Sequence, residues 1–230
     1  MNHVHRLLTL CRGDSEAMVP WLEERDSRWL VTCAVVITLG CALYGGAVGL
    51  WRAPIQAAYT AVKMPLLIFL TCGGNALLNG LLAQVLGAGL SFRQSAISIL
   101  MSFTLASLIL AALTPVALFV LVNAPSLGSA ERGTGHSVTM LTDVLFIAYA
   151  GVVANGRLLR LLTRICTTPE AAKRVFWSWL AGNLFLGAQL SWILRPFIGT
   201  PGLPVQFLRD DPLRGTFYEA VFGAAKNLLF

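Results

Sequence analysis

Residues 96–122 read AISILMSFTLASLILAALTPVALFVLV, an apolar run without a single charged side chain. About 20 apolar residues are enough for a helix to cross the hydrocarbon core of a bilayer. In lipid the backbone groups of such a segment must bond to one another, so a continuous helix is the expected form. The run therefore predicts a transmembrane helix, and Pro115 predicts a kink inside it.

Four more apolar runs lie on either side of this segment, so the chain predicts an all-α, polytopic transmembrane bundle of about five helices. We predict a cytoplasmic N-terminal segment at 1–28, the five-span bundle at 29–194, and a proline-rich loop with a C-terminal amphipathic helix at 195–230. The sequence lacks the alternating pattern of membrane β-strands. The predicted spans are Trp29–Leu50, Met64–Leu86, Ala96–Val122, Val138–Arg157 and Val175–Leu194.

The composition agrees with a surface that faces lipid. Of the 230 residues, 56% are hydrophobic and 12% are charged, whereas a soluble domain carries about 25% charged residues. In a soluble protein the net charge of +6 would favour nucleic acid as a partner. Here the basic residues flank apolar runs, so we expect lipid headgroups and no nucleic acid.

Lysine and arginine residues outside the spans set the expected orientation. They predict a cytoplasmic N-terminus and an outward C-terminus. The N-terminal segment contains Arg6, Arg12, Arg25 and Arg28. The strongest cluster lies between the fourth and fifth spans, and its expected contacts are lipid headgroups: Arg157, Arg160, Arg164, Lys173 and Arg174.

Three segments predict helices on the membrane surface. The first is the basic, amphipathic extension of the fourth span over 157–164. The second is the mixed polar and apolar stretch Arg52–Lys63. The third follows the stiff loop 195–204 and begins with Asp211 as N-cap and Pro212 in the first turn. Its apolar face is predicted from Phe217, Val221, Phe222, Leu228 and Leu229.

Asp143 is the one ionisable residue that lies clearly inside a predicted span, and such residues are functional candidates by default. Arg195 ends the fifth span on the same side, so an Asp143–Arg195 ion pair is expected to lock this helical hairpin to the proline-rich loop. Two alternatives remain open, a proton or cation site at Asp143 and simple extension of its side chain to water.

Asn75 and Asn79 are four residues apart on the second span and therefore share a helix face. Amides in a bilayer usually form hydrogen bonds between helices, while a polar pathway through the bundle is the functional alternative. Small residues recur at the same spacing and allow close helix contact, either within the chain or against another subunit. These pairs are Gly45 with Gly49, Ala76 with Gly80, and Ala150 with Ala154.

The sequence contains no recognisable catalytic motif. It has no H-E-x-x-H, G-x-S-x-G, Walker A or dinucleotide-binding pattern. Its three histidines lie outside the predicted spans, so the membrane offers no histidine pair for haem. The five cysteines include no C-x-x-C pair, which argues against a zinc site or a disulfide framework. We therefore expect no enzymatic activity and no cofactor.

The turn between the second and third spans reads Leu86-Gly87-Ala88-Gly89-Leu90-Ser91-Phe92-Arg93-Gln94-Ser95. A glycine-rich turn followed by Ser-Phe-Arg-Gln, together with the order of elements over 29–194, resembles the Yip-type family of five-span membrane proteins, including its bacterial members. The resemblance implies a cytosolic N-terminus, an outward C-terminus and a non-enzymatic membrane role. It does not imply binding of trafficking GTPases, because the family's Asp-Leu-x-Gly-Pro element has no counterpart here.

These features favour a non-catalytic subunit or scaffold of a membrane assembly, with lipids and other membrane subunits or further copies of the chain as partners. The first alternative is a small oligomeric transporter or channel that uses the Asn75/Asn79 face and Asp143. The second is a lipid-organising protein that acts through the basic cluster at 157–174.

Overall fold

The computed structural model describes residues 3–24 and 26–229, with side chains described as far as Asn227. Every regular element in these ranges is helical, which confirms the all-α prediction. Arg25 and the side chains of Leu228 and Leu229, which the sequence predictions used, lie outside the described residues. The helices are α1 (His3–Arg12), α2 (Ser15–Met18), a 3-10 helix (Val19–Leu22), α3 (Ser27–Gly49), α4 (Pro54–Val85), α5 (Phe92–Asn123), α6 (Arg132–Ile165), α7 (Pro169–Ile193) and α8 (Phe217–Leu229).

Four helices, α3 to α6, are long and apolar enough to cross a membrane. The length and apolar composition of these helices indicate a membrane protein. Helix α7 occupies the place of the predicted fifth span, but it is not one of these four. Its first two turns carry Glu170, Lys173 and Arg174, which shortens its apolar part.

Helix α4 corrects one sequence prediction. The stretch Arg52–Lys63 is not a separate surface helix, because α4 begins at Pro54 and continues through Pro65 to Val85. The polar residues Gln56, Thr60 and Lys63 follow one another at helical spacing and are fully buried. The mixed pattern that suggested a membrane surface therefore reflects polar side chains that face other protein groups.

The predictions for the other two surface segments have different outcomes. The basic stretch 157–164 belongs to α6 and continues the fourth predicted span as a helix, while its place on the membrane surface stays a prediction. Helix α8 begins at Phe217, so the predicted start at Asp211 and Pro212 is wrong. The backbone N–H of Glu219 donates to Thr216 Oγ1, and that of Thr216 donates to Glu219 Oε2, both at 3.3 Å. This reciprocal capping box fixes the start of the helix.

The chain forms two compact units, which are described separately. The first unit contains Met1–Ile37, Ile68–Leu108 and Ala150–Leu186. Its apolar core includes the fully buried Ala83, Leu162, Val175 and Trp179. The second unit contains Thr38–Leu67, Ile109–Tyr149 and Gly187–Phe230.

Two turns of the first unit are bound to each other. The turn after α4 uses Gly87 and Gly89, whose φ angles of 65° and 72° suit glycine. The backbone N–H of Thr167, in the turn after α6, donates to Ala88 O at 3.2 Å, and its hydroxyl donates to Gly87 O at 3.2 Å. The two turns therefore hold each other in place.

Candidate functional site

The predicted pair Asn75 and Asn79 lies in the first unit, and both side chains are fully buried. Helix α7 packs directly on this face of α4, because a Cβ atom placed on Gly182 would lie 3.4 Å from Asn75 Oδ1 and 3.8 Å from Asn79 Oδ1. The indole N–H of Trp179 donates to the backbone oxygen of Asn79 at 3.2 Å. The Asn75/Asn79 pair therefore faces α7, a contact that was not predicted from the sequence.

Helix α5 contributes a buried hydroxyl to the same unit. Gly80 of α4 packs against the ring of Phe92 at the start of α5. The side chain of Ser98, about two turns further along α5, is buried. The polar residues of α4, α5 and α7 in this unit whose buried atoms lack hydrogen-bond partners within the described ranges are called the amide cluster below: Thr71, Asn75, Asn79, Ser98 and Asn183.

The amide cluster is rich in polar atoms that lack hydrogen-bond partners. Asn75 Nδ2 donates to Thr71 O at 2.8 Å within the helix. Among the described residues, however, no partner exists for six buried atoms: Thr71 Oγ1, Asn75 Oδ1, Asn79 Oδ1, Asn79 Nδ2, Ser98 Oγ and Asn183 Oδ1. Each buried polar atom without a partner costs about 1–3 kcal/mol in protein mutants. The unpaired atoms therefore include both hydrogen-bond donors and acceptors.

Asp143 and Arg195 lie in the second unit, and the structure does not pair them. Tyr44 donates its hydroxyl proton to Asp143 Oδ1 at 2.5 Å. The predicted Asp143–Arg195 ion pair is therefore corrected. Arg195 donates instead to four backbone oxygens at 2.7–3.0 Å, and these belong to Trp192, Asp211, Pro212 and Arg214.

Asp143 also lines a small cavity with Tyr44, Thr139 and Thr142. Its volume of about 10 Å³ holds about one water molecule. A solute larger than water does not fit in this space, and one carboxylate oxygen of Asp143 accepts from Tyr44. The alternative of a proton or cation site at Asp143 stays a prediction.

Replacing Tyr44 by Phe should lower the free energy of unfolding by about 1–3 kcal/mol, because a buried acceptor loses its donor. Asp143→Asn should cost less, since an amide oxygen can still accept the Tyr44 proton. Thermal unfolding of the two purified variants in detergent measures the difference. Equal losses in the two variants would contradict the Tyr44–Asp143 assignment.

The basic cluster between α6 and α7 is partly engaged by the N-terminal helices of the first unit. Arg157 donates to Arg12 O at 2.5 Å, and Arg164 forms an ion pair with Glu16 at 3.0 Å. The side chains of Arg160, Arg164, Lys173 and Arg174 are exposed. Contact of these four residues with lipid headgroups stays a prediction, whereas the half-buried Arg157 is bonded to the end of α1.

The small-residue pairs are largely used within the chain. In the second unit, Cβ atoms on Gly45 and Gly49 would lie 2.7 Å from backbone atoms of α4. In the first unit, Ala150 and Ala154 are buried, with 1% and 2% of their surface exposed. Internal packing therefore explains these motifs without a partner subunit.

No family model, curated protein or solved structure matches the chain. The Yip-type likeness therefore stays a prediction from the sequence. Within the described residues, no group of three or more histidine, cysteine, aspartate or glutamate side chains could hold a metal ion.

Sequence reasoning missed Lys63, which it had placed at the membrane surface. The side chain is fully buried, and its ammonium donates to Pro196 O at 2.8 Å. The signal was available in the helical spacing of Gln56, Thr60 and Lys63, because three polar residues on one face of an apolar helix indicate a protein contact.

Proposed function

We propose that this protein is a non-catalytic membrane transporter for a small, uncharged polar solute, which binds at the amide cluster. The observation that carries the proposal is the set of six buried polar atoms without partners, contributed by three helices. Asn79 lies six residues from the end of α4 at Val85, which is about 9 Å along the helix. Since the hydrocarbon core is about 30 Å thick, a solute at this depth has left the aqueous phase.

The chemistry of the amide cluster favours a neutral solute. Four acceptor oxygens come from Thr71, Asn75, Asn79 and Asn183, and the amide nitrogen of Asn79 and the hydroxyls add donors. An alkali cation would gain from the oxygens but would be repelled by the amide N–H groups. A molecule with hydroxyl or amide groups, such as glycerol or urea, satisfies both kinds of atom.

The proposed arrangement in the membrane has five spans, with α7 as the fifth. It has a cytoplasmic N-terminus in a bacterial inner membrane. The basic cluster next to α7 supports this orientation, because short loops rich in lysine and arginine remain on the cytoplasmic side. Its exposed members, Arg160, Arg164, Lys173 and Arg174, support contact with anionic lipids.

Proteoliposomes should admit glycerol or urea faster than protein-free liposomes in a stopped-flow light-scattering assay. Asn79→Leu should reduce the protein-dependent rate by about tenfold or more, because it removes two or more solute hydrogen bonds of about 1 kcal/mol each. Asn155→Leu is the matched control, since Asn155 is a half-buried amide whose Nδ2 already donates to Gly151 O at 2.8 Å. Equal rates with and without wild-type protein for both solutes would refute the proposal.

A non-catalytic subunit or scaffold is the second candidate. It is favoured by Gly151 and Gly156 on α6, because a Cβ atom on either residue would meet nothing within 4 Å among the described residues. Such open glycines allow another helix to approach closely. Gentle detergent extraction from the native host, followed by identification of co-purifying chains, tests this candidate. A stoichiometric partner that is lost on Gly156→Leu would support it, and a chain that purifies alone would reject it.

A further inference from the structure

The proline-rich loop of the second unit is bound to α4 through two of its backbone oxygens. Gln56 Nε2 donates to Pro196 O and Phe197 O, both at 2.9 Å. Thr60 Oγ1 donates to Phe197 O at 2.5 Å, and Lys63 Nζ donates to Pro196 O at 2.8 Å. These bonds fix where the loop lies, and therefore where its cationic side chains lie.

Lys63 is a buried cation that no carboxylate neutralises. The ion pairs in the described part of the chain involve only Arg6 and Arg164 as cations. The ammonium has three donors, and besides its bond to Pro196 O it lies over the rings of Phe207 and Phe197, whose centroids are 4.8 Å and 5.8 Å away. The charge of Arg209, two residues after Phe207, also acts on Lys63. Arg209 therefore adds a second positive charge near Lys63, which has no carboxylate partner among the residues described.

Arg52 and Arg209 are held at neighbouring peptide groups of the loop. Arg52 donates to Leu203 O at 2.8 Å, and Arg209 donates to Pro204 O at 3.4 Å. The two side chains therefore bind the same short stretch of the loop, and the charge of Arg52 acts on Arg209. Arg209 Nη2 is buried and has no hydrogen-bond partner among the described residues.

Charges of both signs act on the arginines of the loop. Burial lowers the pKa of Arg209, the charge of Asp210 raises it, and the charge of Arg52 lowers it. Burial also lowers the pKa of Arg195, the charge of Arg209 lowers it further, and the charge of Asp211 raises it. Like charges kept together in this way repel one another unless an anion lies between them.

We propose that Arg52, Lys63 and Arg209, called here the cationic cluster, form a binding site for a phosphate group. Three cationic side chains from separate positions on the chain match the several oxygens of a tetrahedral phosphate better than the two oxygens of a carboxylate. Arg195 is not included, because four backbone oxygens already occupy four of its five donors. The phosphate comes either from solution or from a lipid headgroup, and the two sources can be told apart by experiment.

The test uses the full chain in an uncharged detergent. Inorganic phosphate is titrated at constant ionic strength, held with chloride, while thermal unfolding is followed. In a second arm, phosphatidylglycerol is added and the lipid retained by the protein is counted by native mass spectrometry. Arg209→Gln and Arg52→Gln are compared with Arg214→Gln, which removes the same charge from an exposed position in the same segment.

We expect wild-type protein to be stabilised by phosphate, to retain phosphatidylglycerol, or both. Arg209→Gln and Arg52→Gln should weaken that binding by about tenfold or more, since each removes a charge-assisted hydrogen bond. Arg214→Gln should change it less than about twofold. Stabilisation by phosphate alone identifies a free anion, and retained lipid alone identifies a headgroup. If wild-type protein is neither stabilised by phosphate nor retains phosphatidylglycerol, the proposal is wrong. It is also wrong if Arg214→Gln weakens the binding as much as the other two substitutions do.

Discussion

Gly49→Ala should lower the free energy of unfolding by about 2–3 kcal/mol, in the range of overpacked interiors, whereas Gly46→Ala should not lower it. A Cβ atom on Gly49 would lie 2.7 Å from Ala57 Cα, 2.7 Å from Gln56 O and 2.8 Å from Ala57 N. All three atoms belong to the backbone of α4, which cannot rotate away as a flexible side chain can. Helices α3 and α4 would have to separate at this level.

Gly46 is a matched control on the same helix. Its added Cβ atom would first meet Ala61 Cβ, at 3.8 Å, which is ordinary van der Waals contact. Alanine is favoured over glycine in a helix by about 0.5–1 kcal/mol, so Gly46→Ala should be neutral or stabilising. Thermal unfolding in one detergent compares the two variants directly. If they have the same midpoint, α3 and α4 are not in the close contact described here.

Arg195→Ala should destabilise the protein by about 3 kcal/mol or more, because bonds from a charged group to backbone oxygens contribute about 1.5–3 kcal/mol each and are not additive. The guanidinium stacks at 3.9 Å over the Trp192 ring while it binds four carbonyls. The bonds from Arg195 to these carbonyls connect the end of α7 to residues 211–214. Losing the bonds should therefore also expose the loop to protease. Thermal unfolding and the rate of limited proteolysis within 197–214 measure the two effects.

A lysine cannot replace this arginine well, because a single ammonium does not reproduce the planar fork of five donors. Arg195→Lys should therefore recover little stability or protease resistance. Arg132→Ala is the control, since Arg132 is an exposed arginine at the start of α6. Full rescue by lysine, or an equal loss with Arg132→Ala, would show that charge rather than the network of carbonyls matters.

The long helices could be predicted from the sequence because hydrophobicity is a local property of the chain. The run at 96–122 needs no partner to indicate a helix, and α5 follows it from Phe92 to Asn123. Helix starts were predicted less well where two local signals compete. Asp211 followed by Pro212 has the composition of a helix start, but the reciprocal bonds of Thr216 and Glu219 decide where α8 begins.

Partners that are distant in the sequence could not be predicted. Asp143 is bound by Tyr44, which lies 99 positions away, and Lys63 is bound by a carbonyl 133 positions away. The Asn75/Asn79 pair could be predicted from its spacing along one helix. Trp179 and Gly182 meet it only through helix packing, which no pattern within a single segment reveals.

The bonds from Thr167 to the turn after α4 restrict how the chain can change in length. Surface turns generally accept insertions and deletions, but the backbone oxygens of Gly87 and Ala88 are both engaged by the turn after α6. An added residue in either turn would move the oxygens or the donors out of register. In evolutionary terms these two turns form one inherited unit, and the lengths of both should be fixed together.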